Sequence, residues 1–177
     1  IQANFDFSSE KDMVKKFRVS QSIQPLVIAL YANSPFVDGK LTKYLSYRSF
    51  IWTQTDKDRC GLLPFIYDEE FSFEKYVDYL LDVPMYFIKR NDKYVNLSGN
   101  TFRNFMEKSI KGFNDLEANE KDWEIHITTV FPEVRLKSFI ELRGADGGPW
   151  SRVCALPAFW TGILYDDSTL DEVSDFI

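Results

Sequence analysis

The segment 134–143, in which apolar and charged residues alternate, constrains the fold of this chain most. If the segment is one extended strand, Leu136, Ile140 and Leu142 lie on the same side of it. The opposite side carries Arg135, Lys137, Phe139, Glu141 and Arg143. A strand with one apolar and one charged face predicts a sheet that packs against a core on one side only.

The charged face of this segment has two interpretations. Charged residues two positions apart on a strand point the same way, roughly 7 Å apart. A carboxylate such as Glu141 can hold Mg²⁺, and neighbouring arginines can hold phosphate oxygens, which suits phosphoryl transfer. The alternative is a solvated sheet face with incidental ion pairs, and the spacing alone does not decide between them.

The other predicted elements favour an α+β fold with an antiparallel sheet, because helices and strands are interspersed without a regular βαβ rhythm. Helical patterns begin after Ser9 and recur later in the chain, and a β-hairpin is predicted around 90–92. The further helices are predicted at 71–81, 101–109, 119–130 and 149–165, and the further strands at 1–6 and 45–52.

Composition excludes several classes of protein. The 177 residues include 21 Lys+Arg and 27 Asp+Glu, a net charge of −6 that argues against nucleic acid as the main partner. No run of 18 apolar residues is present, so no membrane-spanning helix is predicted. Two distant cysteines, Cys60 and Cys154, fit a reducing intracellular compartment.

Because the chain starts at Ile1 without a signal pattern, it is expected to be a piece of a longer protein, truncated at both ends.

Three further polar residues could take part in chemistry. Arg48 lies in an aromatic and apolar segment, where a buried charge needs a partner, so it is either an anion clamp or half of a structural ion pair. Gln2 and Asn4 alternate with apolar residues. Their amides could be weak metal ligands or substrate hydrogen-bonding groups, or they could simply form the polar outer face of a strand.

The glycine-rich segment 144–149 and two single residues favour structural roles. The segment lacks the lysine of a phosphate-binding P-loop and predicts a tight turn from strand to helix. His126 is interpreted as a structural histidine, and Cys154 as a small buried apolar side chain.

Long segments distributed over essentially all 177 residues carry a family resemblance. They are 4–10, 32–36, 45–49, 52–56, 76–79, 82–87, 131–137, 141–150 and 154–160. Taken in this order along the chain, these segments resemble the glutamate–cysteine ligases of the plant and proteobacterial class.

The resemblance implies a glutamine-synthetase-like fold, in which a curved antiparallel sheet carries helices on its outer face. It also implies an ATP- and Mg²⁺-dependent ligase that performs the first step of glutathione biosynthesis. In that reaction the γ-carboxyl of glutamate is phosphorylated by ATP, and the amine of cysteine then attacks the γ-glutamyl phosphate. The implied partners are these small molecules, with no nucleic acid and no membrane.

The resemblance also implies roles for individual residues. Glu141 would be a Mg²⁺ ligand, and Arg143 would stabilise the phosphoryl group during transfer. Arg135 would bind nucleotide or phosphate, and Arg48 would bind the glutamate carboxylate or the acyl phosphate. Asn4 would contact the nucleotide side of the site and Gln2 its metal side. Tyr79 would line the cysteine pocket.

Family chains are much longer, so residues 1–177 are expected to form the C-terminal part of a single catalytic domain. That part alone is expected to be inactive, and to self-associate through apolar surface exposed by truncation. Leu97 and Gly112 occupy the places of a plant regulatory disulfide, which excludes that bridge here, whereas Cys154 matches one cysteine of a second pair. A bacterial, cytoplasmic protein is favoured over a plastid one from a plant.

Two other functions remain open. A related ligase could activate glutamate but use another amine, and a fold relative could have lost catalysis. The presence of Arg48, Arg135, Glu141 and Arg143 together argues against such a loss.

Overall fold

A computed structural model describes residues 1–177, which form two compact units. The first unit comprises residues 1–71 and 132–177, and the second comprises residues 72–131. The assignment of residues 1–177 to one catalytic domain stays a prediction.

Seven α-helices and nine short strands make up the chain, with a 3₁₀ turn at Pro64–Tyr67. The helices are α1 (Glu10–Leu30), α2 (Tyr47–Thr53), α3 (Phe73–Asp82), α4 (Phe102–Met106), α5 (Glu120–Thr128), α6 (Trp150–Leu164) and α7 (Asp167–Phe176). The strands are β1 (Ala3–Phe5), β2 (Phe36–Val37), β3 (Lys40–Leu41), β4 (Cys60–Gly61), β5 (Phe87–Arg90), β6 (Lys93–Asn96), β7 (Phe131–Pro132), β8 (Val134–Leu136) and β9 (Ile140–Leu142).

The first unit contains a three-stranded antiparallel sheet with the order β1-β9-β8. Leu142 pairs with Ala3 on one side and with Val134 on the other, and all three side chains are buried. Helix α1 contacts β8 and β9, and α6 contacts β1. The sheet therefore has one apolar face in the core, and its other face is free to carry polar side chains.

The segment 134–143 is a β-hairpin, so the prediction of one continuous strand was wrong. The chain reverses at 137–139, where the Lys137 N–H donates to the Phe139 carbonyl at 2.8 Å. No glycine or proline marks this turn, which is why the pattern did not reveal it. Arg135 and Glu141 still share a face, because they are direct partners across the hairpin.

The predicted strand at 45–52 is instead helix α2, which is a second correction. Its aromatic residues favour a strand by propensity, but the Ser46 side chain caps a helix by accepting from the Ser49 N–H at 3.2 Å. Tyr44 stacks on Phe50 with 4.3 Å between ring centroids. Local capping and tertiary packing therefore outweigh β-propensity here.

The second unit consists of α3, the β5–β6 hairpin, α4 and α5. The predicted hairpin is confirmed, with positive φ angles at Asn91 and Asp92 as a two-residue turn requires. Its core is formed by Met85, Ile88, Leu97, Phe102, Phe105 and Ile110. Asn119 caps α5 as predicted from its position before the helix.

The mixed α+β class is confirmed, but the strands form one three-stranded sheet and three two-stranded ribbons, and not by themselves the large curved sheet that the resemblance implies. His126 is buried, and its Nε2 lies 2.7 Å from the Leu80 carbonyl, as expected of a structural histidine. Cys154 is exposed on α6, so its predicted burial was wrong. No helix is both long and apolar enough to cross a membrane.

Candidate functional site

Four charged residues form a cluster on the polar face of the three-stranded sheet. Glu141 is at its centre and only 3% exposed. Its Oε2 accepts hydrogen bonds from Arg135 Nε at 2.7 Å and from Arg143 Nη1 at 2.9 Å. Its Oε1 accepts from Lys137 Nζ at 3.2 Å. These residues, Arg135, Lys137, Glu141 and Arg143, are called the Glu141 cluster below.

The Glu141 cluster carries a net positive charge. Burial raises the pKa of Glu141, but the hydrogen bonds from Arg135 and Arg143 outweigh burial and hold this pKa below its ordinary value. Glu141 is therefore ionised at neutral pH, and three cations face one carboxylate. Such an excess of positive charge in a partly dry site attracts anions such as phosphate.

Strand register brings Asn4 and Gln2 to this site. Asn4 on β1 pairs directly with Glu141, so both side chains leave the same face of the sheet. Gln2 lies two positions earlier on the same side of the chain, and both amide side chains are exposed. The structure thus places both predicted amides beside the charged cluster, where their oxygens and N–H groups are free to meet a ligand.

Arg48 approaches the same strand end from helix α2. Its Nη2 donates to the Arg143 carbonyl at 2.7 Å and its Nη1 to the Gly144 carbonyl at 3.1 Å. The hydrogen-bond partners are thus backbone carbonyls, and the nearby Glu133 carboxylate acts on Arg48 through its charge without a direct ion pair. Because a guanidinium has five N–H groups, these two bonds leave donors for an anion.

Tyr79 lies on helix α3 of the second unit, whereas the Glu141 cluster belongs to the first unit. Its ring packs edge-on against Tyr76 with 5.8 Å between centroids. Its role in a cysteine pocket stays a prediction.

Comparison with known proteins settles the family. The family model for glutamate-cysteine ligase family 2 matches residues 1–177. The chain belongs to glutamate-cysteine ligase family 2. Over 175 residues it is 56% identical to glutamate–cysteine ligase B, chloroplastic, of Oryza sativa subsp. japonica, 58% identical to the chloroplastic glutamate–cysteine ligase of Brassica juncea, and 57% identical to that of Arabidopsis thaliana.

Each alignment covers 99% of this chain but only 34–35% of the relative. The chain therefore spans about a third of the length of the curated relatives that it matches. These relatives are plant proteins named as chloroplastic, and they lend no support to the expected bacterial, cytoplasmic protein.

Residues 1–177 offer a magnesium ion a single carboxylate at this site, Glu141, whose two oxygens accept hydrogen bonds from Arg135, Lys137 and Arg143. Residues 1–177 contain no group of three or more His, Cys, Asp or Glu side chains that could hold a metal. Mg²⁺ bound to a nucleotide, however, takes one or two carboxylates and keeps phosphate and water ligands. Glu141, as a buried ionised carboxylate, suits one such position, and the Gln2 amide oxygen could add a neutral one.

Two acidic residues near the site received no role from the sequence pattern. Burial raises the pKa of Glu133, although Arg48 and Arg143 act in the opposite direction. Asp146, in the glycine-rich segment, is only 3% exposed and accepts hydrogen bonds from two serines. The sequence pattern did not reveal this role, because its two serine partners lie 112 and 100 residues away in the chain.

Proposed function

We propose that the protein of which these residues are part is an ATP-dependent glutamate–cysteine ligase, which performs the first step of glutathione biosynthesis. The Glu141 cluster is the observation that carries this proposal. It combines one ionised carboxylate with three cations on the polar face of the sheet. Family membership and the names of the relatives support the same activity.

The proposed reaction has two steps. An oxygen of the glutamate γ-carboxylate attacks the γ-phosphorus of ATP, the bond to ADP breaks, and γ-glutamyl phosphate forms. The amine nitrogen of cysteine then attacks the acyl carbon, phosphate leaves, and the amine loses a proton. Both reactants of the first step are anions, so their approach requires fixed positive charge.

The charged side chains divide this task. Arg143 faces the transferred phosphoryl group and stabilises its developing charge, and Arg135 holds phosphate oxygens of the nucleotide. Arg48 binds the glutamate carboxylate or the acyl phosphate with the N–H groups that its carbonyl partners leave available. Asn4 contacts the nucleotide, and Tyr79 contributes to the cysteine pocket.

Mg²⁺ is the proposed cofactor, held by Glu141 and assisted by Gln2. When bound, it neutralises phosphate charge and orients the nucleotide. The low pKa of Glu141 keeps this ligand ionised over the neutral pH range.

Measurement of ADP release tests the proposal in the protein with its full natural sequence. Glutamate, Mg²⁺ and ATP are supplied with cysteine or with 2-aminobutyrate, and wild type is compared with Glu141→Gln. A matched control is Glu117→Gln, which removes the exposed ion pair with Lys108 in the second unit. Cysteine-dependent turnover that is lost in Glu141→Gln and kept in Glu117→Gln supports the ligase and the role of Glu141.

Two outcomes contradict the proposal. Turnover with 2-aminobutyrate but not with cysteine would indicate a related ligase with another amine. No ATP turnover by the wild type would indicate a fold relative without catalysis. Residues 1–177 alone are expected to be inactive, because one carboxylate does not complete a metal and nucleotide site.

We also propose that the protein works in a plastid. The support is that the plant relatives at 56–58% identity are named as chloroplastic. Immunodetection in fractionated cells of the source organism tests this location, and recovery in the cytosolic fraction would contradict it.

A further inference from the structure

Asp146 is a buried carboxylate that connects distant segments of the first unit. It is 3% exposed. Its Oδ2 accepts from the backbone N–H of Asn33 at 2.8 Å and from Ser34 Oγ at 2.7 Å. Its Oδ1 accepts from Ser46 Oγ at 2.9 Å. One side chain therefore anchors the end of the α1–β2 connection and the start of α2 to the glycine-rich segment.

Both serines pass this anchoring on to Arg48. Ser34 Oγ accepts from the Arg48 backbone N–H at 3.1 Å. Ser46 Oγ accepts from the Ser49 N–H at 3.2 Å and thereby caps α2. Asp146 thus fixes the first turn of the helix on which Arg48 lies.

The Arg48 side chain closes the circuit. Its guanidinium donates to the carbonyls of Arg143 and Gly144, shortly before Asp146 in the chain. The position of α2 and the course of the backbone after β9 consequently depend on each other. A shift of the glycine-rich segment would move Arg48 and the backbone of Arg143 together.

We propose that Asp146 is a positioning residue for Arg48, and thus for the binding of glutamate. This inference rests on the proposed function. A carboxylate is suited to the position because it only accepts hydrogen bonds and has room for several donors. An asparagine can keep its oxygen toward Ser34 and Asn33 but must turn an NH₂ group toward Ser46. The asparagine would therefore keep only part of this geometry.

A purely structural anchor would affect stability and leave substrate binding unchanged. Asp122 offers the matched comparison. It is 1% exposed, pairs with both terminal nitrogens of Arg90, and accepts from the Asn119 backbone, all within the second unit. It makes no hydrogen bond or ion pair with Arg48 or the Glu141 cluster.

The test compares Asp146→Ala, Asp146→Asn and Asp122→Asn in the protein with its full natural sequence. We expect Asp146→Ala to lower kcat/KM for glutamate about 10-fold or more through a raised KM, because small misplacement of binding groups is costly. The KM for ATP should change much less. Asp146→Asn should raise the glutamate KM less than Asp146→Ala does. Asp122→Asn should lower Tm and leave the glutamate KM unchanged.

A double-mutant cycle checks that the effect passes through Arg48. If it does, Asp146→Asn should change the glutamate KM less in an Arg48→Lys background than in the wild type. Additive effects would overturn the positioning role.

Other results would also overturn it. If Asp146→Ala lowers Tm with an unchanged glutamate KM, Asp146 is only a structural anchor. If Asp146→Ala does not fold, Ser34→Ala replaces it in the test, because this change removes one donor to Asp146 and the acceptor of the Arg48 N–H. An unchanged glutamate KM in Ser34→Ala would overturn the positioning role. Absence of glutamate-dependent turnover in the wild type would overturn the proposed function itself.

Discussion

Arg135 and Glu141 face each other across the β8–β9 hairpin, with Nε of Arg135 2.7 Å from Oε2 of Glu141. Both side chains are largely removed from water, at 11% and 4% exposure. Removal of one member of such a pair leaves buried charge without compensation, so the stability of this face depends on the protonation state of Glu141.

Glu141→Gln should destabilise the protein by about 2 kcal/mol at pH 7, because hydrogen bonds to a charged acceptor are replaced by weaker ones. The low folded-state pKa of Glu141 means that its contribution is present above the unfolded-state pKa. This contribution is lost as the pH falls through the folded-state pKa, so the difference between variant and wild type should shrink in acid. Urea unfolding from pH 3 to pH 7 measures it, and a difference independent of pH would contradict the prediction.

Glu133→Gln should show the opposite pH dependence. Burial raises the folded-state pKa of Glu133, so its ionisation destabilises the fold as the pH rises through that value. The variant should have a higher Tm than wild type at pH 7, and the two should converge below about pH 4.5, the ordinary carboxyl value. The glutamine also brings N–H groups near Gln24 Oε1, which has no hydrogen-bond donor. Thermal scans at both pH values test this, with Glu117→Gln as the exposed control.

Arg143→Ala should lower kcat of the full-length protein about 10³-fold, the scale of an arginine that stabilises phosphoryl transfer. Arg143→Lys should lie between the alanine variant and wild type, because it keeps the charge but not the planar fork. Steady-state ADP release measures both. Arg103→Ala, which removes ion pairs with Asp78 and Asp82 in the second unit, is the control. An equal loss in the control would indicate a general effect of lost ion pairs.

Gly144→Ala should destabilise the fold by about 1–3 kcal/mol through overpacking. A Cβ at this position would lie 2.8 Å from Gln24 Oε1 and 3.1 Å from both Glu133 Oε2 and Ile28 Cγ1. Gly147→Ala in the same segment meets nothing within 4 Å and is the matched control. Denaturant midpoints of the two variants give the comparison, and similar midpoints would show that the neighbours of Gly144 can yield.

The polar face of the sheet was largely predictable from the sequence. Alternation of charged and apolar residues correctly placed Arg135, Glu141 and Arg143 on one face. The hairpin turn was missed because residues 137–139 contain no turn-forming glycine or proline. Charges roughly 7 Å apart along one strand were expected. Because the chain turns back, Arg135 and Glu141 instead form a direct ion pair across two strands.

The environment of Arg48 could not be predicted in the same way. Its aromatic neighbours favoured a strand, and the choice of a helix depends on capping by Ser46, whose hydroxyl is held by Asp146. That contact joins residues 100 positions apart. Local propensity contains no information about such a partner.

The sequence by itself determined the family, the α+β class and the charged character of one sheet face, because these follow from side-chain periodicity and long motifs. Only the tertiary structure decided which groups meet: three cations on Glu141, two carbonyls on Arg48, and two serines on Asp146. The physical reason is that hydrogen bonds and ion pairs act over about 3 Å, and folding alone brings residues far apart in the chain to that distance.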